Sequence, residues 1–188
     1  MTIEHFHHGI EGWTQFEDIY REAVAGASDG ARFVEVGCWK GRSAAFMAVE
    51  IINSGKRIDF TCIDEWADGG KQFRHYGEVD LMGQFIANTA PVAHVITPVK
   101  ARSVDAAARF ADGSLGFVFI DAAHDYESVI ADLEAWAPKV RSGGTLAGDD
   151  YSLPGVKRAC DEFFGGVYVG AGEARRRNMH ACWRVSPW

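Results

Sequence analysis

The sequence predicts a doubly wound α/β fold, with a mostly parallel seven-stranded sheet that has an antiparallel end strand, built as one domain over residues 1–188. Three observations carry that expectation. Short apolar runs alternate with segments of helical period from residue 31 to residue 164, the rhythm of units whose crossovers make neighbouring strands parallel. Several of those runs end on glycine or an acidic residue, as strands do where a ligand meets their carboxyl ends. Finally, residues 167–169 and 181–185 follow one another across a loop with no helix between them, so they pair antiparallel. A chain of 188 residues buries one sizeable core and is short for two.

Trp13, Phe16, Ile19, Tyr20, Ala23 and Val24 recur at helical spacing, so residues 1–30 supply a helical cover over one end of the sheet. Residues 31–36 form the first strand and 43–53 the next helix, which Ser54-Gly55-Lys56 stops. The second strand, 58–63, ends on Asp64. Residues 65–91 break the rhythm with Trp66, Gly69-Gly70, Phe73, His75, Tyr76, Gly77 and Gly83, then a short helix at 81–88. A segment of that length between strands is expected to be a lid or substrate insertion.

A third strand is expected at 94–98 and a helix at 104–110. Residues 115–120 are apolar throughout and end on Asp121, which fits a central strand covered on both faces. Asp125 can cap the helix 126–136, with Glu127 near its positive end. Arg141-Ser142-Gly143-Gly144 is expected to turn the chain into a fifth strand, 145–147, ending on Gly148-Asp149-Asp150. Pro154-Gly155 opens the last helix, through residue 164.

Composition narrows the function. Apolar residues make up 47% and charged residues 24%, ordinary for a soluble globular protein. A net charge of −7 argues against a nucleic-acid binder, which carries a basic face, and Arg175-Arg176-Arg177 fits a hairpin tip. No signal-like leader or membrane-length apolar run is present, so a cytoplasmic protein without membrane contact is expected. Cys38, Cys62, Cys160 and Cys182 form no C-x-x-C pair and read as reduced, buried thiols. His5, His7 and His8 read as a flexible terminus, and a homo-oligomer is compatible with the chain.

The stretch from Phe33 to Ser43 is the most informative. An apolar strand meets Glu35, then Gly37 and Gly41 four apart, then Ser43 at a helix start. Glycines there let backbone approach a nucleotide-like ligand that a Cβ would hold away. The dinucleotide and phosphate-loop patterns are both absent. Asp64 can accept both hydroxyls of a ribose, and Asp121, Asp149 and Asp150 gather at the same sheet edge, where oxygen ligands suit Mg²⁺. His124 can take a proton from a substrate hydroxyl, or orient another group. Trp39, Trp66 and Tyr151 are candidate pocket walls.

The pattern Glu35-x-Gly37-x-x-x-Gly41 resembles motif I of the Rossmann-like class I S-adenosylmethionine-dependent methyltransferases. Ile120-Asp121-Ala122-Ala123-His124-Asp125-Tyr126-Glu127 with Asp132-Leu133-Glu134-Ala135-Trp136 is similar to the "IDGxHxYxxVxxDLxxW" segment of one group among them. Gly143-Gly144-Thr145-Leu146-Ala147-Gly148-Asp149-Asp150 is similar to its "GGxIxxDD" strand. That group holds the macrocin O-methyltransferase-like and cephalosporin hydroxylase-like sequences. The resemblance implies S-adenosylmethionine contacts from Glu35, Gly37, Gly41, Ser43, Asp64 and Asp121, and metal ligands at Asp121, Asp149 and Asp150. It further implies O-methyl transfer to a small hydroxylated acceptor, a sugar or natural-product-like molecule, for which His124 and Asp121 are the candidate catalytic residues. Ala122-Ala123 departs from the group's Gly-Asp and removes one carboxylate. A non-catalytic S-adenosylmethionine-binding or regulatory protein and a nucleotide-dependent oxidoreductase are the alternatives.

Overall fold

The computed structural model describes residues 2–67, 80–165, 169–171 and 182–185. Its strands are β1 (Ala31–Val36), β2 (Ile58–Asp64), β3 (Ile96–Lys100), β4 (Leu115–Ile120), β5 (Val140–Gly148), β6 (Val169–Ala171) and β7 (Cys182–Val185). They form one mixed sheet in the order β3-β2-β1-β4-β5-β7-β6, parallel from β3 to β5. β7 runs antiparallel to both β5 and β6. The helices are α1 (Glu17–Gly26), α2 (Arg42–Ser54), α3 (Leu81–Thr89), α4 (Ser103–Ala107), α5 (Tyr126–Trp136) and α6 (Pro154–Phe164). No helix among the described residues is long and apolar enough to cross a membrane.

Alternation along the central strands sends side chains to two different layers. Phe33, Phe117 and Phe119 enter one core with Phe16, Tyr20 and Phe46 of the α1–α2 side. Val34, Val36, Val118 and Ile120 enter the other with Leu133, Trp136 and Val156 of the α5–α6 side. Each of these fully covered side chains contributes roughly 1.5–3 kcal/mol by burial. Both faces of the parallel region are thus apolar apart from the buried Glu35 of β1, and most polar chemistry is displaced to the strand ends.

Several boundaries differ from the sequence-based expectation. Pro91 starts a 3₁₀ turn over Ala90–Val95, which delays the third strand to Ile96. The helix expected at 104–110 is one turn and a half, Ser103–Ala107. Gly143-Gly144 does not turn the chain into β5; the strand already starts at Val140 and absorbs the extra residues as an irregularity, Leu115 pairing with Val140 and Phe117 with Thr145. Trp13 precedes α1 and stands 68% exposed. The N-terminal histidines are not a flexible end: His5 stacks on Phe46 of α2 at 4.6 Å, and His7 is buried edge-on to the same ring. All four cysteines are buried free thiols. Phe73, His75, Tyr76, Gly77 and Arg175-Arg176-Arg177 lie outside the described residues, as do residues 68–79 of the expected lid.

Candidate active site

Strand order reverses at β1, which has β2 on one side and β4 on the other, and loops leaving such a switch point diverge to open a crevice. A cleft of about 800 Å³ lies there, bordered by Gly37, Ser43, Asp64, Asp121, His124, Asp149 and Asp150 among others. Glu35, Gly41, Trp66 and Tyr151 are not on its wall.

The loop after β1 is held by main chain. Gly37 has φ +89°, and a Cβ on it would lie 2.0 Å from the Asp121 carbonyl oxygen. Its N–H donates to Ile63 O at 2.8 Å, while Asp121 N–H donates to Val36 O at 2.8 Å. Gly41, at φ +87°, would place a Cβ 2.8 Å from Thr89 Cγ2 and 2.9 Å from Phe85. Both glycines are therefore demanded by neighbouring protein, β4's loop in one case and α3 in the other. Ligand clearance, the reason suggested by sequence, is not what constrains them first.

Asp64 fastens this loop to the end of β2. Its Oδ2 accepts the N–H groups of Cys38 and Trp39, both at 2.8 Å, and its Oδ1 accepts Trp66 N–H at 2.7 Å. Three of a carboxylate's roughly four acceptor positions are thus filled by main chain. Glu35 sits behind the cleft at 1% exposure, where burial pushes its carboxyl up to about 8. The Ser43 hydroxyl donates to Glu35 Oε1 and itself borders the cleft. The acid expected to face the ligand therefore reaches the cleft only through Ser43. Strand alternation explains this: Val34 and Val36 take one face, so Glu35 must take the aromatic one.

The opposite wall is ionic. His124 Nε2 lies 2.8 Å from Asp150 Oδ2 and 3.9 Å from Asp121 Oδ1. Hydrogen bonding to Asp121 and Asp150 raises the imidazole to about 10, so it holds its proton at neutral pH. In this arrangement the imidazolium donates to Asp150 and does not accept. Asp149 turns elsewhere: Cys182 Sγ donates to its Oδ1 at 3.2 Å, and burial lifts its carboxyl to about 6. Consecutive side chains at a strand end point apart, and Asp150 at φ +60° swings toward the β4 loop.

One donor atom each from Asp121, His124 and Asp150 lie within 4.8 Å of one another. Two carboxylates and an imidazole fit a divalent ion, with oxygen donors suiting Mg²⁺ and the nitrogen also admitting Mn²⁺. Of the expected set, Asp121 and Asp150 converge with His124, and Asp149 faces Cys182 instead. Glu35, Cys38 and Cys62 also converge, but all three are buried with their protonated forms favoured.

Aromatic walls follow a different pattern from the one anticipated. Trp39 borders the cleft and stacks on Trp13 at 5.6 Å, with the rings 17° apart. Lys40 Nζ lies 4.7 Å over the Trp39 ring and 2.6 Å from Glu11 Oε2. Trp66 is core, its indole N–H donating to Trp39 O at 2.8 Å. Tyr151 donates its hydroxyl to Asp161 at 2.8 Å. Beyond Asp64 the cleft continues between the loop after β3 and the face of α5 that carries Ser128 and Asp132. The sequence offered Asp132 only as part of a family-like segment, with no site role attached.

The family described as a methyltransferase domain matches residues 34–151 of the chain. No curated protein sequence matches it. Among solved structures, the O-methyltransferase NovP superposes with a TM-score of 0.64 at 19% identity, covering 90% of this chain and 79% of NovP. A putative rRNA-methylase from Clostridium thermocellum gives 0.68 at 12% identity, covering 94% and 98%. SMU.1697c, a putative methyltransferase from Streptococcus mutans in complex with SAH, gives 0.64 at 7% identity, covering 92% and 98%. At these identities the likeness is one of fold.

Proposed function

This chain belongs to the methyltransferase-domain family and is an S-adenosylmethionine-dependent methyltransferase, and we propose that it methylates an oxygen of a small hydroxylated acceptor, a sugar or natural-product-like molecule, with help from a divalent cation. The observation that carries this proposal is the convergence of Asp121, His124 and Asp150 on the same cleft that the Gly37 loop enters. A methyl donor and a site for polarising a hydroxyl then share one space. NovP, an O-methyltransferase, has the same fold. The rRNA-methylase neighbour shares it too, but a net charge of −7 and an acidic cleft wall disfavour a polyphosphate acceptor.

When bound, S-adenosylmethionine supplies an activated methyl group and a divalent cation lowers the pKa of the acceptor hydroxyl. The chain supplies the alignment. Asp64 fixes the Cys38–Trp39 amides, and Ser43 presents its hydroxyl beside them, at the donor end. Asp121 links both ends, its carbonyl against Gly37 and its carboxylate toward His124. Asp121, His124 and Asp150 would hold the cation on the wall where the acceptor hydroxyl is proposed to lie. Trp13 and Trp39 offer a stacked surface at the cleft for the acceptor, and Glu65, Ala67 and Leu81 border it from the segment read as a lid.

Titration calorimetry with S-adenosylhomocysteine, with NAD as control, tests the donor half. Binding of the first alone is expected, and Asp64→Ala should weaken it about tenfold or more, since it releases two loop amides. Transfer of a labelled methyl group to a panel of polyols and phenols tests the acceptor half. Donor binding with no transfer to any hydroxyl would favour the non-catalytic alternative.

A further inference from the structure

Residues 3–14 run as a strap along α2, from its last turn to its first. Ile3 exchanges two hydrogen bonds with Asn53, its N–H donating to Oδ1 at 2.7 Å and its carbonyl accepting from Nδ2 at 3.0 Å. His5 meets Glu50 at 2.8 Å and stacks on Phe46, and a 3₁₀ turn over His7–Gly9 carries the chain onward. Arg42 then donates to the Ile10 carbonyl at 3.0 Å, and Lys40 reaches Glu11 at 2.6 Å. Arg42, Phe46, Glu50 and Asn53 are four, four and three residues apart, so the strap follows one stripe of the helix. It ends at the cleft, where Glu11, Gly12 and Trp13 form part of the rim.

The middle of the strap is held differently. His7 is 2% exposed and edge-on to Phe46, and neither ring nitrogen has a hydrogen-bond partner among the described residues. Packing alone would be served as well by phenylalanine, which has no nitrogen to leave unmet. An imidazolium here would add the cost of a desolvated charge. The groups facing it do little to offset that. From the strap come His5 and His8, their rings 5.4 and 3.9 Å away, and from α2 comes Arg42. From α1 comes Glu17, whose Oε1 is 3.9 Å from Nε2 and already accepts the Thr14 hydroxyl. Glu50 is engaged by His5 and Arg21 instead. Burial first, then His8, His5 and Arg42 against the single carboxylate of Glu17, hold the His7 imidazole down at about 4.

We propose that His7 is a proton-operated latch: neutral, it lets the strap dock on α2, and protonated, it releases the strap and takes Glu11 and Trp13 off the cleft rim. Release stops short of α1, because Phe16, Ile19 and Tyr20 anchor that helix in the aromatic core. The stacked Trp13–Trp39 pair opens with it, whichever ligand the cleft binds. An undocked imidazole has the ordinary value of 6.5, above that of the docked one. Docking is therefore at full strength above about pH 6.5 and weakens as pH falls from there toward 4, by up to about tenfold per pH unit. His5 works the other way, since its protonated ring is drawn to Glu50, so a loss of docking on acidification points to His7.

Hydrogen exchange read by mass spectrometry tests the latch through the strap amides of Ile3, Gly9 and Ile10, which donate to Asn53, Phe6 and His7. Protection factors cancel the pH dependence of exchange itself. Between pH 6.5 and 5.0 the wild-type strap should lose protection by about tenfold, while the amides of β4 keep theirs. In His7→Phe, which can still pack on Phe46 but cannot titrate, strap protection should change by less than about twofold. No loss in wild type, or an equal loss in both proteins, overturns the proposal. So does a parallel loss in β4, which would be acid unfolding and not release. Should His7→Phe fail to fold, nuclear magnetic resonance of the wild-type His7 ring takes its place. Proton uptake by the ring in step with the loss of strap protection supports the latch. A ring that titrates at about 6.5 while the strap amides stay protected overturns it.

Discussion

At the β1–β2 end of the cleft, the loop is held by main-chain groups whose partners are already filled, whereas at the β4–β5 end three ionisable side chains face one another across 2.8 and 3.9 Å. The first end is finished before any ligand arrives. Gly37 touches β4's loop, Asp64 gathers three amides, and Glu35 is buried in its neutral form. The second end holds two carboxylates around one imidazolium, a balance that a divalent ion would replace. Shape is therefore preset where the methyl donor is proposed to lie, and charge is adjustable where the acceptor is proposed to be activated.

The sharpest way to break the first half of this contrast is Gly37→Ala. Its Cβ would sit 2.0 Å from a backbone oxygen, and neither the strand ends nor the φ of +89° can yield cheaply. A loss of about 4 kcal/mol or more in denaturant unfolding is expected, together with loss of S-adenosylhomocysteine binding. If the variant kept wild-type stability and lost only binding, the glycine would serve ligand clearance after all, as the sequence alone suggested.

Glu35→Gln sharpens the same half through pH. The folded carboxyl, raised to about 8, lies above the unfolded value of 4.5, so folding takes up a proton between them. Its stabilising contribution is fully present below about pH 4.5 and is lost as pH rises toward 8. Wild-type stability should therefore fall, relative to the glutamine variant, by up to about 1.4 kcal/mol per pH unit across that window. Parallel stability–pH curves for the two proteins would mean that Glu35 is ionised in the fold, and the donor end would then hold a charge too.

Much of this architecture was legible because it follows from chain geometry. Apolar runs such as 115–120 fit central strands, whose polar groups then fall at their ends. The seven expected site positions other than Glu35 and Gly41 do border one cleft. What escaped depends on direction, which spacing does not encode. Asp149 and Asp150 are equivalent in sequence, yet one faces Cys182 and the other His124. Glu35 was one strand position from the cleft but on the wrong face. Trp13 fitted a helical period although its helix starts only at Glu17.

That indistinguishable pair gives the finest test of the ionic end. Mn²⁺ binding, followed by electron paramagnetic resonance, reads the cation site without requiring turnover. Asp150→Asn removes a donor from the converging set and also loosens His124, so affinity should fall about tenfold or more, given that even residues behind the ligands cost 10–100-fold. Asp149→Asn keeps a side chain that Cys182 can still meet and removes no member of the set, so the change should stay within about threefold. His124→Ala should resemble Asp150→Asn in kind, because it too deletes a donor. The reverse order, with Asp149 costing most and His124 nothing, would reinstate the all-carboxylate site. It would also show that the imidazole yields its place when the ion enters, which would free it to act as the base.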